Sequence, residues 1–408
     1  MANKHASLDA LFADIADAIR EKTGGTATIV ADDFPDAIRE RLQVIPTIPY
    51  LTFSSPSSFT LAVNDATKHW DGTLEYSTDT SAWSAWDGTT TLSSTTSGSD
   101  NVLYLRGIGN TVITGNSNKY KWVLTGSNIA CTGNIENLLD YTTVKSWAHP
   151  TMAPYCYAHM FRDCTSLTQA PALPATTMKG HCYYYMFSGC TGLTQAPALP
   201  ATTLAAYCYE YMFYDCTSLT QAPALPATTV AIYCYAYMFR GCTGLTQAPA
   251  LPATTMMNYC YSSMFYGCTA LTQAPALPAT TLATCCYNWM FRGCTSLTQA
   301  PVLPATTSAE SCYDSMFRDC TSLTQVPALP ATTLKRECYY NMFQGCTGLK
   351  LSSTQTGEYT QEYRIPSSGT GKTATNALSN MFTSTGGTFT GSPAINTTYY
   401  LSNTNTIV

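Results

Sequence analysis

CYYYMFSGCTGLTQAPALPATTLAAY, residues 182–207, is one of eight successive copies of a single unit. The first cysteine of each copy falls at Cys156, Cys182, Cys208, Cys234, Cys260, Cys286, Cys312 and Cys338, a step of 182 − 156 = 26 residues that never slips. A second cysteine follows eight residues later, from Cys164 to Cys346. A fixed period of this length is the signature of a solenoid, in which each unit buries its apolar face only by stacking on its neighbours.

Within a unit, Leu167, Ala170 and Leu173 are expected on or beside a short parallel strand. Pro171 and Pro174 bracket it, and proline cannot donate to a ladder. The segment from Cys156 to Cys164 is expected to make about two helical turns, with Met160 and Phe161 turned inward. Stacking would align Gln169, Gln195, Gln221 and their equivalents into a side-chain ladder. The paired cysteines leave two readings open, buried thiols used as small apolar residues or a disulfide in each repeat. Metal binding is set aside, because there is no C-x-x-C spacing and the five histidines are scattered.

The positions that differ between copies carry more information. They follow Cys-Tyr and Met-Phe, and hold Tyr184, Tyr185, Tyr211, Tyr214, Tyr237, Tyr266 and Trp289 among Arg, Ser and Asn. These are residue types of adaptable binding surfaces. The seven aromatic residues are the candidate ligand-binding set, placed on the solvent-facing helical side.

Flanking segments read differently. Residues 1–45 are expected to form a small helical module, with Leu8, Leu11, Phe12, Ile15 and Ile19 on one face. That stripe serves either as an oligomer or attachment seam, or as a face that docks on the next domain. Residues 48–131 hold β-prone runs between Ser/Thr/Gly/Asp turns, the pattern of an immunoglobulin-like β-sandwich. Trp83 and Trp86 there are either core or exposed sugar-stacking rings. An entry cap (Ile135, Leu138, Leu139, Met152) opens the segment 132–349. Residues 350–408 supply a hairpin insertion through Leu351–Tyr363 and a degenerate capping repeat, in which Ala377 and Thr385 replace the cysteines.

Charged residues make up 11% of the chain and the net charge is −5. That balance gives no footprint for nucleic acid or an anionic membrane, and no run approaches the ~20 apolar residues of a membrane span. The first residues lack the apolar core of a secretory signal, so another exit from the cell is expected. Residues 366–373, PSSGTGKT, nearly match a phosphate-binding loop, but proline replaces the first glycine and no α/β body surrounds them. No nucleophile, acid pair or cofactor motif is found, so neither catalysis nor a cofactor is expected.

The repeat MFSGCTGLTQAPALPATTLAAYCYEYMF resembles the BspA-like leucine-rich repeats, over about residues 140–405. It departs from the common pattern in using Cys where many copies have Ile. Residues 7–42, SLDALFADIADAIREKTGGTATIVADDFPDAIRERL, resemble the start of phage and prophage tail proteins. The residue patterns lead to a leucine-rich-repeat-like solenoid, a short strand plus a short helix per coil, preceded by the sandwich and the helical module. The combined resemblance implies a phage tail-associated receptor-binding protein without enzymatic activity, located in the virion. Its partners would be a host surface glycan or protein, other virion tail proteins and copies of itself. The alternatives are a bacterial cell-surface adhesin and a purely structural fibre or decoration protein.

Overall fold

A computed structural model describes residues 48–408. The expected helical module at 1–45, with Leu8, Leu11, Phe12, Ile15 and Ile19, lies outside the described residues. Pro49–Val408 form one compact unit.

The described residues begin with nine strands: β1 (Leu51–Ser55), β2 (Thr60–Val63), β3 (Thr73–Ser77), β4 (Ser84–Trp86), β5 (Leu92–Ser93), β6 (Thr95–Ser97), β7 (Asp100–Ile108), β8 (Trp122–Thr125) and β9 (Ile129–Thr132). Alternation of buried and half-exposed residues along β1 places Leu51 and Phe53 inward, as period-two pleating requires. Antiparallel pairing gives the order β9-β1-β7-β3-β4, with β6 also on β7, and a separate sheet β5-β2-β8. Both sheets feed one apolar core, in which Phe53 and Trp122 lie 6.4 Å apart.

That core does not stop at the repeats. A short helix, α1 (Asn137–Lys145), packs on β7. In the first repeat β10 (Leu167–Gln169) joins the large sheet by pairing parallel to β9. Three carbonyls of the first coil receive donors from the strand region. Ile113 N–H donates to Cys156 O (2.9 Å) and Trp122 N–H to Met160 O (2.8 Å), while the Thr114 hydroxyl donates to Ala158 O (2.7 Å). The strand-rich segment therefore closes the open end of the ladder by hydrogen bonding as well as by packing.

The coil differs from expectation first in its Cys-to-Cys segment. Residues 155–164 form no helix. They are overlapping β-turns, with Ala158 N–H donating to Tyr155 O, Met160 to Tyr157, Arg162 to His159 and Cys164 to Phe161. The intervening N–H groups leave the coil altogether. Tyr157, His159, Phe161 and Asp163 donate to Cys182, Tyr184, Met186 and Ser188 of the next coil, at 2.9, 2.7, 2.9 and 2.7 Å. A helix would spend its hydrogen bonds internally, leaving the coils held by side chains alone. The turn ribbon divides them, half to shape the coil and half to stack it. Turns with a positive φ at their third residue explain the left-handed backbone at His159 and Asp163, φ 62° for both.

The strand side is reduced further than expected. Between most coils it is a single parallel bridge, Gln195 to Gln221 and onward to Gln325, with others at the Thr column. The anticipated side-chain ladder is not formed: among the described residues these glutamine amides make no hydrogen bond, and the pairing is through backbone. The core follows the unit itself. Cys156, Tyr157, Met160, Phe161, Cys164, Leu167 and Leu173 are all buried, as are their counterparts in each copy. The inner tyrosines stack coil on coil, Tyr209 and Tyr235 at 5.7 Å, and so do the phenylalanines, Phe213 and Phe239 at 5.6 Å.

All eighteen cysteines are free and buried. From the second coil on, the second cysteine of each pair donates to the phenylalanine carbonyl of the preceding coil, as Cys190 Sγ does to Phe161 O at 3.0 Å, and in the first coil Cys164 donates to Trp122 O instead. Burial pushes the thiols of Cys164, Cys182 and Cys294 up to about 12. They act as neutral, compact core groups.

The far end is closed by β11 (Gln325–Val326), β12 (Leu351–Ser352), β13 (Tyr359–Arg364), β14 (Thr398–Ser402) and β15 (Thr406–Ile407). The extra residues are taken up by β12 and β13, which both flank β14. The chain end returns to pair β15 with β11. Ala377, Ser379, Met381 and Thr383 accept the last set of ladder bonds, from Tyr339, Asn341, Phe343 and Gly345.

Candidate functional site

Each coil presents residues at its turn positions that are neither in the core nor in the Gln/Pro face. At the left-handed position before the first cysteine stand Tyr155, His181, Tyr207, Tyr233 and Tyr259. Their rings form a continuous stack, with centroids 4.3, 4.4, 4.9 and 4.5 Å apart. Four residues later a second stack runs through His159, Tyr185, Tyr211 and Tyr237, at 5.3, 4.3 and 4.4 Å. All of these except His159, which is 5% exposed, are half-buried. The outer rings of both stacks lie closer than the inner tyrosines and phenylalanines, which are set by the coil spacing at 5.6–5.8 Å.

A third column holds the guanidinium groups. Arg162 lies 4.7 Å from the Tyr185 ring. Arg240 and Arg292 flank Tyr266 at 4.3 and 5.3 Å, and Arg292 also lies 5.5 Å from Trp289. Arg240 reaches Tyr214 and Tyr237 at 5.7 and 5.8 Å. Cation–π contact fixes otherwise mobile side chains at low entropic cost.

Between the two ring stacks sits Glu210, 7% exposed, with no hydrogen bond or ion pair to its carboxyl. Burial alone raises it to about 8. Its charge contributes to the raised values of Tyr184 and Tyr211, beside the larger effect of burial. His159 is held down at about 4, first by burial and then by the nearby Arg162.

The structure thus gathers Tyr184, Tyr185, Tyr211, Tyr214, Tyr237, Tyr266 and Trp289 along one edge of the array. They stand on turns, half-buried against one another, rather than free on a helical face. Sequence reasoning missed the stack from Tyr155 to Tyr259, although an aromatic residue recurs there every 26 residues in five copies. The two tryptophans of the strand region separate. Trp86 is 2% exposed, donates to Thr90 O at 2.9 Å and packs on Trp70 and Trp122, so it is core and not a sugar platform. Trp83 is half-buried, with the Arg106 guanidinium 4.0 Å from its ring. The phosphate-loop-like segment is committed elsewhere: Lys372 N–H donates to Thr332 O and its carbonyl accepts from Leu334, while Arg364 holds the Pro366 and Gly369 carbonyls.

The matching family profile is that of the BspA type Leucine rich repeat region (6 copies), over residues 136–255 and 206–350. Together these ranges span more than half of the chain. The chain belongs to the BspA-type leucine-rich repeat family. No curated protein and no solved structure matches it. In this BspA-type array the eponymous leucines, Leu167, Leu193 and their equivalents, are all buried at 0% exposure. Surface variation is left to the turn columns. No helix among the described residues is long and apolar enough to cross a membrane.

Proposed function

We propose that this chain is an adhesive binding protein that contacts a ligand on a host surface through the stacked outer rings. The observation that carries this reading is the backbone under them. Tyr185, Tyr207, Tyr211, Tyr233, Tyr237, Tyr259 and Trp289 all stand at φ between 54° and 61°. Bulky residues pay a steric cost there that glycine or asparagine avoids. At the third left-handed column the same array uses Asp163, Gly189, Asp215 and Gly241. Rings are thus placed where the backbone favours small residues, and strain of this kind clusters at functional sites.

Rigid rings on a stacked rod lose little entropy on binding. The test is the double substitution Tyr211→Ala, Tyr237→Ala, followed by melting and whole-cell adsorption. Loss of adsorption with a near-native melt is the expected result, at roughly 1–3 kcal/mol for each ring that acts as a hot spot. Unchanged adsorption would place the binding surface elsewhere.

In this reading the protein is carried on a phage tail, a placement supported by the resemblance of residues 7–42 to tail proteins. Membership of the BspA-type family supports a second placement, on a bacterial cell surface. Immunoblotting of purified phage particles against washed cell envelopes separates the two.

A further inference from the structure

The Gln/Pro face hardly varies from coil to coil. Gln195 and its counterparts as far as Gln299 are exposed, and so are Ala198, Ala224, Ala250 and Ala276. Nothing in the fold fixes these side chains. The glutamines pair through their backbone, and among the described residues their amides make no hydrogen bond. Val302 takes the alanine position in the next coil at 61% exposure, so that position has room for a larger group. The same coils carry five different residues at Tyr184, Glu210, Ala236, Ser262 and Asn288. Copies that have diverged there keep one residue at exposed positions that neither packing nor hydrogen bonding dictates. A uniform contact from outside the chain accounts for this.

The face is also hollow. Three cavities of about 280, 380 and 280 Å³ follow one another over residues 247–302, and Pro275 lines all three. They make one trough along the ladder, walled by alanine and proline with glutamine amides among them. A fourth cavity, of about 510 Å³, lies on the same face at the entry end, between Gly133, Pro171, Ala172, Pro197 and Ala198. No charged side chain lines any of the four.

We propose that this trough binds an uncharged, unbranched polysaccharide laid along the ladder. Its occupation would be independent of the outer rings. A surface that repeats the same groups at every coil cannot read a sequence, but it suits a polymer whose units are alike. Coils step by about 4.8 Å on this side, close to the length one sugar ring adds to an extended glycan. Glutamine amides both donate and accept, as sugar hydroxyls do. Proline and alanine offer apolar surface to the C–H faces of the sugar. An uncharged lining disfavours nucleic acid, polyuronates and polyamines. A polypeptide added as a strand needs an open sheet edge, and the trough is a sheet face.

The probes are cellohexaose, mannohexaose, maltohexaose and chitohexaose, each titrated calorimetrically into the full chain beside its own disaccharide. At least one hexasaccharide is expected to bind, about ten-fold or more tightly than its disaccharide, because each added ring engages another coil. Ala250→Glu sets a charge at an exposed position in the trough. The triple substitution Gln221→Ala, Gln247→Ala, Gln273→Ala removes amides that hold nothing in the fold. Both variants should melt close to wild type and bind the hexasaccharide about ten-fold or more weakly. Should one fail to fold, the other carries the test. Tyr211→Ala, Tyr237→Ala should bind the hexasaccharide as wild type does. No binding of any hexasaccharide by wild type, no gain with length, or unchanged binding by either folded trough variant overturns the assignment. Loss in the tyrosine variant alone overturns it too, and moves the glycan to the outer rings, where the adhesive reading stands.

Discussion

Replacing Glu210 by glutamine keeps the shape of the side chain and removes its charge. The carboxyl is 7% exposed and lies among rings with no cation paired to it. Burial lifts it from the model-compound value of 4.5 to about 8. Below pH 4.5 the group is protonated in both folded and unfolded chains and costs nothing. Between 4.5 and 8 the unfolded chain has released its proton while the folded chain retains it. The unfolded state then binds fewer protons, and stability falls as pH rises. Above 8 the full penalty is in place, on the order of 5 kcal/mol at ~1.4 kcal/mol per pH unit. His159, held at about 4, has the opposite slope, losing stability as pH falls below its unfolded value, but it is common to both proteins and cancels in their difference. The assay is thermal melting of wild type and Glu210→Gln from pH 5 to 9. The variant should match wild type near pH 5 and exceed it by several degrees at pH 9. A difference that does not change with pH, or a more stable wild type at pH 9, would refute the claim that the carboxyl is buried unpaired.

Gly107→Ala directs a methyl group into the backbone carbonyl of Leu138, so α1 cannot keep its seat on β7. A loss of about 3 kcal/mol or more in chemical denaturation is expected. Thiol titration of the native protein at pH 8 should find almost no reactive groups, because burial raises them all, whereas denaturant without reductant should release all eighteen. Two or fewer free thiols in denaturant would establish a disulfide in every repeat. Truncation before Leu351 strips the acceptors from Tyr339, Asn341, Phe343 and Gly345 and uncovers Phe343 and Leu349, both 0% exposed. Aggregation is expected, and a soluble, fully folded truncate by light scattering and circular dichroism would rule out the capping role.

The repeat, its stacking and its core were legible because apolar identity recurs at fixed positions. Every Cys, Tyr, Met, Phe and Leu that defines the unit is buried where periodicity places it. The shape of the Cys-to-Cys segment was not. Apolar pairs at 156/157 and 160/161 fit a helical face, and they fit a ribbon of turns equally well. Such patterns fix which side chains go inward, and they are silent on where the N–H groups point. One signal did distinguish the two. Asp163, Gly189, Asp215, Gly241, Gly267, Gly293, Asp319 and Gly345 form a column restricted to two residue types that favour turns, and all of them are left-handed. The ring stack from Tyr155 to Tyr259 was hidden for a related reason, since its position lies in the spacer just before each Cys, where the repeat shows no fixed residue.

The left-handed columns also explain why this array can vary its surface without losing its fold. Each coil donates ladder bonds from the odd-numbered turn residues, whatever their side chains, because those bonds are backbone to backbone. His159, Tyr185, Tyr211, Tyr237, Ser263, Trp289, Ser315 and Asn341 therefore occupy one structural position with equal hydrogen bonding, at 2.7 to 3.1 Å. Core identity is enforced one or two residues away, by Met160, Tyr157 and their equivalents. Variation is confined to positions where it costs strain but breaks no bond. An exposed edge built this way separates recognition from stability: single ring substitutions should move binding by far more than they move the melt.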